Sequence, residues 1–164
     1  MSLVLVAGMI LMKATPKMED VLDAVRADQI KAGEHVQPPL SAREIEAATQ
    51  QVKRQSAIEI PQDFLEFLSR ANGIDYNGVV IYGGTQSPEQ PGPGGFWQGL
   101  SAANVMWETD GRRDWLVIGE TDMDILTVDR DGSNPVIRDK VSHDINERFI
   151  SVQAMIGEVL RRRL

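Results

Sequence analysis

The run Ile60 to Gly84, IPQDFLEFLSRANGIDYNGVVIYGG, leaves the chain fewer choices of fold than any other part, because a helical and an extended pattern meet in it across two Asn-Gly pairs. Pro61 has the fixed φ and the missing N–H that suit the start of a helix. Phe64, Phe67, Leu68 and Ala71 follow at i, i+3, i+4 and i+7 and form one buried face. Asn72-Gly73 is expected to close that helix, since glycine adopts the left-handed conformation at little cost. Asn77-Gly78 then turns the chain into Val79, Val80, Ile81 and Tyr82, too short a run for a helix and rich in strand formers.

On the N-terminal side, Thr15 and Pro16 read as the cap and first position of a helix that carries Met18, Val21, Leu22 and Val25 inward and runs to about Ala32. Gly33 stops it, and Pro38-Pro39 begins a polar linker. Ser41 to Glu44, SARE, is a capping box for a second helix with Ile45, Ala48, Thr49 and Val52 on its inner stripe. On the C-terminal side, Gly83 to Gly95 has almost nothing to fill a core and reads as an exposed, mobile loop inserted between strands. Leu100 to Glu108 fits either a short helix or a strand. Trp115–Glu120, Met123–Asp129 and Asn134–Asp139 read as strands, and Asp131-Gly132 is a hairpin signal, so the three form an antiparallel meander. A last helix from about Ser151 buries Val152, Met155, Ile156, Val159 and Leu160. Helices, then strands, then one closing helix is the order of an α+β fold. At 164 residues, one such domain is expected, with residues 1–40 as an apolar segment, helix and linker ahead of a domain over 41–164.

Charge and composition exclude several functions. A net charge of −7 argues against nucleic-acid binding, which draws its affinity from Lys and Arg neutralising phosphates, and suits a basic protein partner instead. There is no cysteine, hence no disulfide, thiol nucleophile or thiolate metal site. His35 and His143 read as surface residues, neither with a histidine at helical ligand spacing. Ser2 to Met12 is apolar but about half the length that spans a bilayer, and the cations Lys13 and Lys17 follow it where a secretory signal would have them ahead. No membrane partner and a cytoplasmic location are expected. Met9, Met12 and Met18 are alternative starts, and Met1-Ser2-Leu3 has the look of a cloning remnant, so the run carries no functional weight.

Few constellations could carry chemistry. Asp129 to Asn134 resembles the start of a calcium loop, but the sixth position, which needs glycine, is Asn134, and the twelfth, which needs Glu, is Lys140. Asp and Gly there serve a tight turn. Asp122 and Asp124, two apart at a strand entry, point to one side and could form a two-carboxylate site for a divalent metal, although no residue beside them activates a nucleophile. The Gly83–Gly95 glycines match no phosphate-binding motif, and no GxSxG elbow exists. No cofactor is expected. Among the aromatics, Trp115 heads a hydrophobic strand and reads as core, whereas Tyr76 and Trp97 flank glycine turns and are the better candidates for exposed interface anchors. The terminal Arg161-Arg162-Arg163 sits where cations favour a helix end.

Taken together, IPQDFLEFLSRANG, NGVVIYG, WLVIGETDMDILTVD and the closing FISVQAMIGEVL resemble, in that order, the SUKH superfamily, which includes fungal cell-wall regulators and YrhA-like bacterial immunity proteins. The resemblance covers about Ser41 to Leu164 and leaves out the first helix and the Gly-Pro loop. It implies an α+β domain with a curved, mostly antiparallel sheet packed against helices, and no catalytic residues. It further implies an immunity protein that neutralises a polymorphic toxin such as a nuclease or deaminase, or else an adaptor for another cellular protein. Recognition surfaces in the superfamily diverge with the partner. For a basic toxin domain, Asp75, Glu89, Asp122 and Asp124 are the expected partners of its Lys and Arg residues, with Tyr76 and Trp97 as anchors.

Overall fold

The structure, a computed structural model, describes residues 16–84, 99–108 and 114–164. Among these, five helices and six strands run in the order α1 (Met18–Ala32), α2 (Ala42–Ser56), α3 (Gln62–Leu68), β1 (Ile74–Tyr76), β2 (Val79–Ile81), α4 (Leu100–Glu108), β3 (Trp115–Glu120), β4 (Asp124–Asp129), β5 (Val136–Asp139), β6 (Ile145–Arg148) and α5 (Val152–Arg161). The strands form one curved, open antiparallel sheet in the order β1-β2-β3-β4-β5-β6. The α+β class read from the element order is the class observed.

Local sequence explains most element ends. The Ser41 hydroxyl accepts from Glu44 N while the Glu44 carboxylate accepts from Ser41 N at 2.7 Å, the expected capping box. At the start of α5, Ser151 Oγ accepts from Ala154 N at 3.0 Å and the Asp63 carboxylate of α3 accepts from Val152 N at 2.7 Å. A side chain from one helix thus helps to cap another and fixes how the two meet.

Three expectations change. α1 starts at Met18 with Lys17 as its N-cap, so Pro16 precedes the helix instead of opening it, and Thr15 lies outside the described residues. α3 stops at Leu68 with Ser69 as its C-cap, several residues before Asn72-Gly73. Gly73 does take a positive φ of 82°, away from the helix end, and a Cβ there would also sit 2.8 Å from both Gly83 N and Ile81 O, so glycine is required by the close crossing as well. Gly83 and Gly84 are buried, so the chain is still in the core where an exposed loop was expected to begin. The rest of that loop lies outside the described residues.

Asn77 (φ 45°) and Gly78 (φ 80°) are both left-handed, as a two-residue hairpin between β1 and β2 requires. The ambiguous segment after Gly99 is helical. Its Asn104 is buried, accepts from Val117 N at 2.9 Å and donates to Val117 O and Leu100 O, each at 2.8 Å. A helix side chain thus satisfies the strand backbone where the β3–β4 register shifts between Val117 and Gly119.

Register divides the sheet into two faces. Leu116, Leu126, Val128 and Ile137 share one face with Glu147, whose carboxylate accepts from Arg162 after α5, so α5 covers that side. α1 and α3 pack against α5 and complete the core. On the other face, Trp107 of α4 donates to Tyr82 Oη at 2.9 Å, and Tyr82 donates to Glu120 at 3.1 Å. Both sheet edges are blunted. Gln29 of α1 donates to the Asp75 carbonyl on β1, and β6 is irregular where it pairs with β5.

Candidate interaction surface

In an antiparallel meander alternate turns fall at the same end, so the β1–β2, β3–β4 and β5–β6 turns gather together. They are braced to one another. A Cβ built on Gly78 would lie 3.6 Å from the Asp122 carboxylate, which brings the first two turns into contact. Lys140 N donates to Met123 O and Lys140 Nζ to Thr121 O, each at 2.8 Å, tying the second turn to the third. Thr121 Oγ1 accepts from Asp124 N at 3.0 Å, and the Asp139 carboxylate accepts from Val141 N and Ser142 N at 2.8 and 2.7 Å. Those backbone donors, Ser142 N first, hold the Asp139 carboxyl below its ordinary range. Side chains within the turns and bonds between them fix this end of the sheet.

The braced end presents apolar side chains to solvent. Met123 is 69% exposed and Val141 90% exposed. The Lys140–Met123 bond places them on adjoining turns. Asp122 and Asp144 are exposed beside them, and Asp124, half-buried, accepts from Asn146 Nδ2 at 3.0 Å. An apolar pair edged with carboxylates can fill a pocket on a partner and meet cations around its rim.

The expected site residues divide. Asp122 and Asp124 belong to this end of the sheet. Asp75 lies on edge strand β1, two residues before the first turn, half-buried; burial first, then the nearby Glu34 charge, pushes its carboxyl pKa up. Tyr76 is not an exposed anchor. It is 3% exposed, because strand alternation turns its ring into the core, and its hydroxyl donates to Asp28 at 2.6 Å. That hydrogen bond, with burial, pushes the phenol up to about 12. Glu89 and Trp97 lie outside the described residues. Trp115, expected in the core, is half-buried at its edge, with the Arg138 guanidinium 4.8 Å from its ring centroid and His143 edge-on at 5.4 Å. Among the described residues no three carboxylates or imidazoles converge as metal ligands.

Sequence reasoning does not single out Met123, Val141 or Asp144. An apolar residue between two aspartates, Asp122-Met123-Asp124, was the available signal, as was the lone Val141 in a polar turn. Among the described residues, no helix is long and apolar enough to cross a membrane. No family model matches the chain, and no curated protein matches it significantly.

Proposed function

We propose that this chain is a non-enzymatic protein-binding domain of the SUKH type, an immunity protein of the cytoplasm that neutralises a toxin by covering its active site or substrate groove. The observation that carries the reading is the braced turn end, where Met123 and Val141 stand exposed among Asp122, Asp124 and Asp144. Ordered turns lose little entropy on docking, which favours a preformed contact. The order of the family-like motifs and the net charge of −7 support a basic toxin domain as partner.

Co-expression with a toxin domain found encoded beside this gene tests the reading. Protected growth and a purified one-to-one complex are expected. Death of the cells together with no complex would overturn it, and capture of a housekeeping assembly in its place would favour an adaptor.

A further inference from the structure

An open groove of about 420 Å³ lies between α1, the linker ahead of α2 and the turn after α3, with Arg26, Gln37, Pro38, Pro39, Ser69 and Arg70 along it. It uses none of the turn-end residues. Gln37 is only 6% exposed, yet neither Nε2 nor Oε1 of its carboxamide has a hydrogen-bond partner among the described residues. A buried amide with no protein partner calls for one from solvent or a ligand, because native proteins rarely leave such a group unpaired. The linker does not need it: Asn72 N donates to Pro38 O at 2.8 Å and Leu40 N to Leu68 O at 3.0 Å, both through the backbone.

The charge of the groove is also out of keeping with the rest of the chain. The protein carries −7, but the charged side chains along the groove are two arginines. Arg70 gives one N–H to Glu19 and has others to offer. Arginine forks suit carboxylates. A carboxamide presents a donor and an acceptor side by side, the complement of the C=O and N–H of a peptide residue. A free carboxylate has acceptors only and would leave Gln37 Oε1 unpaired.

We infer that this groove binds an extended acidic peptide segment of a partner protein, with the Gln37 side chain turning from its unpaired position to bond the peptide backbone and Arg26 and Arg70 taking flanking Asp or Glu side chains. The test titrates the full chain, followed by NMR, with a pool of acetylated, amidated pentapeptides bearing Glu or Asp at both ends, and with succinate as the small carboxylate. The acidic peptides should move the Gln37 side-chain amide resonances, and succinate at equal concentration should not. Gln37→Leu should raise the Tm while weakening peptide binding about tenfold or more, and Arg26→Ala should weaken it about tenfold without that rise. Unmoved Gln37 resonances at saturating peptide, equal effects of succinate, or full peptide binding by Gln37→Leu would each overturn the assignment.

Discussion

Burial and the Glu34 charge raise the folded-state pKa of Asp75, so its protonated form is the one that fits the fold. The stability this contributes is present below the unfolded pKa, and is lost as pH rises through the folded value. Asp75→Asn should therefore raise the Tm at pH about 7 and change it little at pH about 3, measured by thermal melts at both. Asn104 is the opposite case, a buried polar group whose amide oxygen and nitrogen are both bonded to backbone. Tyr76 shows how a single residue can mislead: glycine turns on both sides point to exposure, while the alternation of a three-residue strand sets its ring inward.

Between elements, the close crossing of Gly73 and Gly83 joins the α3–β1 connection to the end of β2. Gly73→Ala adds a Cβ that meets backbone 2.8 Å away at a positive φ, and should cost about 2 kcal/mol or more in chemical denaturation. The end of α5 gives a pH test. Hydrogen bonds from Arg161 and then Arg162 lower the Glu158 carboxyl to about 2. Its folded pKa is depressed, so its contribution is complete above the unfolded value near 4.5 and fades as pH falls toward 2. Glu158→Gln should lower the Tm at neutral pH, and the gap from the native chain should close as pH falls through that window.

Over the described residues, the helices other than α4, the meander and the α+β class were legible because amphipathic periods and turn residues are local signals, whereas Leu100–Glu108 fitted helix and strand alike. β1 and β6 were not. β1 has three residues directly after a glycine, and Ile145–Arg148 is half-exposed with two charges, so neither shows a buried run. The candidate surface was legible in part: the carboxylates Asp122 and Asp124 could be named as candidates, but single apolar residues such as Met123 and Val141 have no period, and only the meander topology puts them together.

If the chain is an immunity protein and the turn end is the surface that meets its partner, calorimetric titration with a toxin domain found encoded beside the gene will register changes made there and ignore changes made elsewhere. Met123→Asp with Val141→Asp should weaken binding about a hundredfold with the Tm unchanged, while Ile150→Asp, at an exposed site after β6, should bind as the native chain does. Native affinity in the double variant would place the partner on another face and remove the turn end from the function.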